Sequence, residues 1–296
     1  MMKMRPSRVL QKLREGEIAS CFKLNLESAR VAEIAAMSGF DCIWTDLEHT
    51  SNDWIHIENQ VRAAKCHNAD TMVRVSRGQY SNYIKPLELD ASGIMVPHVM
   101  SLEDAREIVR MVRFHPVGRR AVDGGNADGG YCGIDFQSYL QQANAGRFVV
   151  LQIEDPEPLE ELDEIAALDG IDMLFFGPGD FSHAIGAPGD WNHPELLRAR
   201  RAVADACRAH GKWAGTVANA ANYDELVETG YRFLSCGADV AGLTEYCSAT
   251  FSVFSSAPRK SPTLYGNDLG TPVPLISNGH ELSRNGHGRN GHQQDL

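Results

Sequence analysis

Neither a CxxC pair nor a long apolar run occurs in these 296 residues, and the 28 Lys and Arg are outnumbered by 39 Asp and Glu. Without about eighteen uninterrupted apolar residues no helix spans a bilayer, so no membrane segment is expected. A net charge of −11 leaves no broad basic surface for a phosphate backbone or an anionic membrane. Small solutes are therefore the expected partners, with no nucleic acid and no membrane. The seven cysteines, Cys21, Cys42, Cys66, Cys132, Cys207, Cys236 and Cys247, leave one over in any full disulfide scheme. Several fall in apolar patterns, where a free thiol packs as a small hydrophobe. The N-terminus carries no apolar export segment, and together these features predict a cytoplasmic protein.

What is present is ample apolar material: 43% of the residues are hydrophobic, enough for a full core in one large α/β barrel or two ordinary domains. Short apolar runs alternate with amphipathic ones, the signature of βα units and a parallel sheet. The pattern predicts strands from Ile18 to Lys23, Phe40 to Asp46, Thr71 to Val75, Gly93 to Pro97, Arg147 to Glu154, Ile171 to Phe176, Lys212 to Val217 and Tyr231 to Cys236. Between them, Ser101 with Asp104 marks a helix start, followed by a stripe of Ile108, Val109, Met111 and Val112. Gly170, Gly211 and Gly230 each sit where a helix should stop before a strand.

Eight such units predict a (β/α)8 TIM barrel over residues 1–256, and a doubly wound sheet is the alternative. Two stretches break the rhythm. Val117 to Asp135 is glycine-rich and suits a lid or subunit-contact loop; its Asp123, Asn126 and Asp128 lack the spacing of a calcium loop. Residues 257–296 are rich in Pro, Gly, Asn and His and read as a disordered tail.

A parallel barrel does its chemistry at the C-terminal ends of its strands, so polar residues there come first. Glu154 and Asp180 end two successive predicted strands. Neighbouring strands run about 4.8 Å apart, close enough for both carboxylates to share a hard divalent cation such as Mg²⁺ or Mn²⁺. Helix capping or pairing with a basic residue is the alternative for each. The turn Gly177-Pro178-Gly179-Asp180 brings bare amides to the same place, where a substrate carboxylate could be held.

Asp46 and His49 lie three residues apart at a strand exit, a spacing at which the carboxylate could orient an imidazole as general base. The other reading is a loop histidine satisfied by backbone. Arg74 interrupts the apolar run MVRV and requires an anion, structural or substrate. His98 ends the fourth strand and could line the pocket. Lys23 is the one lysine ending a clear apolar strand, which disfavours Schiff-base chemistry, and Cys132 and Cys236 have no His partner at a diagnostic spacing.

Taken in order, WTDLEH, MVRV, GIMVPHV, HPVGRR, LQIED and FFGPGDFS resemble the HpcH/HpaI family of metal-dependent aldolases, across about residues 5 to 255. The resemblance implies a barrel packed as a hexamer of exchanged-helix dimers. It also implies reversible cleavage of 4-hydroxy-2-oxo acids to pyruvate and an aldehyde, through a pyruvate enolate on Mg²⁺, Mn²⁺ or Co²⁺. On it Glu154 and Asp180 are the metal ligands, Arg74 the charge stabiliser, and His49 with Asp46 the proton-handling pair. Gln152 and the amides of Gly179 and Asp180 seat the pyruvate end.

Two departures stand out: Ser76-Arg77 replaces the Pro-Trp of many relatives, and DGGNADGG replaces a basic, Ala- and Ser-rich segment. The first changes the wall beside the reacting carbons, and with the second it means that the identity of the second substrate does not carry over. A related fate for the same enolate is the alternative: oxaloacetate decarboxylation, acyl-thioester cleavage, or carbon-carbon bond formation in secondary metabolism. A catalytically silent barrel acting as sensor or assembly component is the reading from another class.

Overall fold

Eight short runs, the second to sixth of them buried at every position, pair in parallel: β1 Ala19–Lys23, β2 Cys42–Asp46, β3 Asp70–Arg74, β4 Gly93–Val96, β5 Phe148–Ile153, β6 Met173–Phe176, β7 Trp213–Ala218 and β8 Tyr231–Ala238. A strand covered on both faces needs apolar residues at consecutive positions, which is why these runs are continuous and not alternating. Each strand bonds to the next and β8 returns to β1, so the sheet is a closed barrel. The computed structural model describes residues 2–256. The expected tail at 257–296 lies outside the described residues.

The intervening helices are α1 Arg8–Arg14, α2 Ala29–Met37, α3 Trp54–Lys65, α4 Tyr80–Glu88, α5 Leu102–Val112, α6 Phe136–Gly146, α7 Leu162–Ala167, α8 Pro178–Ala184, α9 Pro194–Ala209, α10 Tyr223–Thr229 and α11 Asp239–Ser256. Helix α5 shows why they form. Ser101 accepts the Asp104 amide at 3.2 Å, and Ile108, Val109 and Val112 are buried against strand residues such as Ile94 and Leu151. Each such side chain contributes about 1.5–3 kcal/mol by leaving water, so a charge at Ile108 would break the contact. The glycines at the helix exits, Gly170, Gly211 and Gly230, have φ of +92°, +65° and +118°, a region closed to most side chains.

Inside the barrel, Trp44, Met72, Met95, Val150, Met173, Phe175 and Phe233 pack as one cluster, with Trp44 edge-on to Phe175 at 5.5 Å. Val9 and Leu10 of α1 join that cluster, and Asp70 at the start of β3 accepts the Val9 amide at 2.9 Å. Helix α1 thus closes the N-terminal end. Chemistry is left to the opposite end.

Two anchors fix loops outside the strands, the first on the side of the barrel where β5 begins. In the glycine-rich stretch, Arg120 donates to Asp128 at 2.8 Å while stacking over Phe114, and the Tyr139 hydroxyl donates to the same carboxylate oxygen at 2.7 Å. Asp128 Oδ2 is thus held by a cation of the protein, and the stretch is pinned at its centre. At the seam of the ring, Asp239 accepts the amides of Asn25 at 2.8 Å and Leu26 at 2.9 Å, just beyond β1. All seven cysteines are free, with Cys21, Cys42 and Cys207 buried. Among the described residues no helix is long and apolar enough to cross a membrane.

Candidate active site

The C-terminal ends of β1, β3 and β5 bring Lys23, Arg74 and Glu154 to one cavity of about 710 Å³, whose lining also includes Trp44, Gln152, Gly179 and Asp180. Asp46 and Arg74 are register partners on β2 and β3. Nε of Arg74 donates to Asp46 Oδ1 at 3.0 Å, a second guanidinium nitrogen meets Oδ2, and the third lies 3.1 Å from Glu48. Burial works to raise the Asp46 carboxyl, but hydrogen bonds and charge from Arg74, the Glu48 amide and Lys23 override it and hold it below its ordinary value. Burial works to lower the Arg74 pKa, but Asp46, Glu48 and Glu154 override it and hold it above its ordinary value.

Glu154 follows β5 directly and is fully buried. One oxygen accepts the His98 amide at 3.0 Å and the other meets Gln152 Nε2. Burial pushes its pKa up to about 7, opposed by the amide and charge of His98 and reinforced by Asp180 and Glu48. Gly177 makes room for this: a Cβ there would lie 2.6 Å from a Glu154 oxygen and 2.9 Å from Gln152 Nε2. Asp180 comes from one step further than the strand end, in the first turn of α8, where the amides of Gly179 and Asp180 lie in the part of a helix that has no acceptor of its own.

His98 is the residue that the sequence placed only on the pocket wall. It sits at φ +47°, a strained value that its surroundings must enforce, with Nδ1 held 2.8 Å from Asp155. Its burial opposes protonation, yet Asp155, Glu154 and Glu48 together raise its pKa. Ligand atoms of His98, Glu154 and Asp180 all lie within 4.8 Å of one another. A divalent cation binding oxygen or nitrogen at about 2.0–2.6 Å fits such a set.

The predicted residues divide into two groups. Glu154, Asp180, Gln152, Gly179 and Arg74 share the cavity. The expected bond from Asp46 to the His49 ring is not made: Asp46 is spent on Arg74 and on the backbone amides of Glu48 and His49. The His49 ring is 56% exposed on the rim, with Nε2 3.5 Å from Glu48. A bidentate guanidinium wins this carboxylate over an imidazole because it offers two aligned, charged donors. Glu48 was legible inside WTDLEH, but its reach to Arg74 was not. Gln152 Oε1 and Trp44 Nε1 are buried with no hydrogen-bond partner among the described residues.

Residues 20–245 match the HpcH/HpaI aldolase/citrate lyase family. Among similar proteins, the 2-keto-3-deoxy-L-rhamnonate aldolase of Klebsiella pneumoniae subsp. pneumoniae is 33% identical over 245 residues, covering 82% of this chain and 91% of that protein. The crystal structure of an HpcH/HpaI aldolase from Desulfitobacterium hafniense superposes with a TM-score of 0.79 at 29% identity, covering 86% of this chain and 98% of the other. An HpcH/HpaI aldolase/citrate lyase family protein from Burkholderia cenocepacia gives 0.77 at 31%, covering 84% and 100%. With this extent of match and a closed eight-stranded barrel, the chain belongs to the HpcH/HpaI aldolase/citrate lyase family and is an enzyme of the lyase class.

Proposed function

We propose that the protein reversibly cleaves a 4-hydroxy-2-oxo acid to pyruvate and an aldehyde. The observation that carries this is the convergence of His98, Glu154 and Asp180 at the mouth that also holds Arg74 and Gln152. Glu154 and Asp180, with His98 beside them, hold a divalent cation, Mg²⁺ or Mn²⁺ or Co²⁺. When bound, such a cation supplies Lewis-acid charge where negative charge collects on the 2-oxo group.

The chain's own groups do the rest. The amides of Gly179 and Asp180 and the Gln152 side chain seat the 2-oxo acid end. Arg74, fixed by Asp46 and Glu48, presents a guanidinium to the oxygen on which charge develops. His49, directly or through a water, accepts the proton of the C4 hydroxyl; the C3–C4 bond breaks, the aldehyde leaves, and C3 takes a proton back. Asp46 serves this scheme by setting Arg74, and Glu48 is the carboxylate beside the His49 ring.

The test is direct. Protein stripped with a chelator is assayed for pyruvate release from a 4-hydroxy-2-oxo acid, then resupplied with Mg²⁺ or Mn²⁺. Activity should vanish and return; turnover indifferent to the chelator sinks the proposal. Borohydride should trap no pyruvyl-lysine adduct.

The family likeness further supports a homo-oligomer, a hexamer of exchanged-helix dimers, in the cytoplasm; free cysteines and exposed Leu243 and Tyr246 on α11 agree with both. A monomeric mass in light scattering would count against the assembly.

A further inference from the structure

Lys23 has no task in the scheme above, yet it ends β1 inside the same cavity as Glu154 and Asp180. Its Nζ lies 3.4 Å from Asp46 Oδ2, its one carboxylate within 4.0 Å among the described residues. That carboxylate is already taken by two hydrogen bonds from Arg74, so Lys23 adds little to holding it. An ammonium carries three donors, and Asp46 engages one at most. Below it, at 4.9 Å, is the Trp44 ring, only 3% exposed, whose indole N–H has no acceptor among the described residues.

A buried donor without an acceptor is destabilising, and a half-buried ammonium with spare donors adds to that cost. Both residues line one cavity, and each calls for an acceptor, which for the ammonium is one bearing negative charge. The pyruvate carboxylate has its own seat at Gly179 and Asp180. A second anion is needed.

We infer that Lys23 and the Trp44 indole N–H form a carboxylate-binding pocket for the second reactant, so that the preferred acceptor is an oxo acid and not a neutral aldehyde. This rests on the aldolase reading. With glyoxylate as the acceptor, one C–C bond forms between pyruvate C3 and the aldehyde carbon, C3 gives up one proton and the new alkoxide takes one. The product is a 4-hydroxy-2-oxo dicarboxylate and no co-reactant is needed. Burial, then the charge of Arg74, lowers the Lys23 pKa, an effect that an incoming carboxylate offsets.

Two probe pairs, each differing by a carboxylate, test the inference on the full chain loaded with Mn²⁺. Glyoxylate and glycolaldehyde are compared as acceptors at matched free-aldehyde concentration; the ratio of kcat/KM should be at least about tenfold in favour of glyoxylate. In calorimetry without turnover, 2-oxoglutarate should bind at least about fivefold tighter than 2-oxopentanoate. Lys23→Met should bring both ratios to within about twofold of one, and Lys23→Arg should restore them in part.

Wild-type ratios near one overturn the inference, whatever the variants do, and so do ratios unchanged in Lys23→Met. If neither acceptor reacts but 2-oxoglutarate binds preferentially, the aldolase reading fails and the pocket stands. If glycolaldehyde reacts well and glyoxylate does not, the pocket fails and the aldolase reading stands.

Discussion

Asp46 and Arg74 stand opposite one another in register at the ends of β2 and β3, and their side chains close a bidentate pair at the barrel mouth. The guanidinium is therefore fixed in plane by carboxylates on two of its edges. Lysine, a point charge on a flexible stem, cannot copy this.

Replacing Arg74 exposes both parts of its role. Arg74→Ala leaves the buried Asp46 with Lys23 as its one remaining cationic partner, which should cost up to about 3–5 kcal/mol in urea unfolding. In the same variant kcat should fall at least about a hundredfold, or about 2.7 kcal/mol of transition-state stabilisation. A stable variant with near-normal kcat would remove Arg74 from the mechanism.

Acid should loosen the fold through Asp46. Its folded pKa lies below the ordinary 3.8, so its contribution is complete above that value and is lost as pH falls through the lowered one. Urea midpoints recorded between pH 6 and pH 2 should drop in the acid range for the wild type. Asp46→Asn should be less stable near neutrality and show a shallower drop; parallel curves would contradict the assignment.

Metal affinity should rank the three converging groups. Titration of Mn²⁺ followed by electron paramagnetic resonance should show His98→Ala weakened about 10- to 100-fold, and Glu154→Gln and Asp180→Asn more than that. An unaffected Asp180→Asn protein would leave Glu154 without its partner and undo the site.

Gly177→Ala tests the packing behind Glu154. The added methyl would press on the Glu154 oxygen and on Gln152 at 2.6 and 2.9 Å. About 1–3 kcal/mol of stability should be lost to overpacking, together with Mn²⁺ affinity. Loss of stability alone, with full affinity, would show that the carboxylate can move aside.

Strands and helices were legible because a barrel strand buried on both faces writes an unbroken apolar run, and because helix exits need residues such as Gly170 and Gly230. Glu154, Gln152 and Arg74 were legible as polar residues at the ends of such runs. The partner of Asp46 was not, since spacing along the chain favoured His49 while register across the sheet delivered Arg74. His98 escaped for a similar reason: its place beside Glu154 depends on a positive φ and on Asp155, neither of which leaves a pattern in sequence. Asp180 was read at a strand end but belongs to the turn of helix that follows.

The clasp between Asp239 and the amides of Asn25 and Leu26 joins positions 214 and 213 apart. During synthesis β1 emerges first and β8 last, so the flank of β1 that β8 will cover keeps open N–H and C=O groups until the last stave arrives. Products cut short ahead of Tyr231 would carry Glu154 and Asp180 yet present a cup with one side missing, prone to borrow a strand from a neighbour.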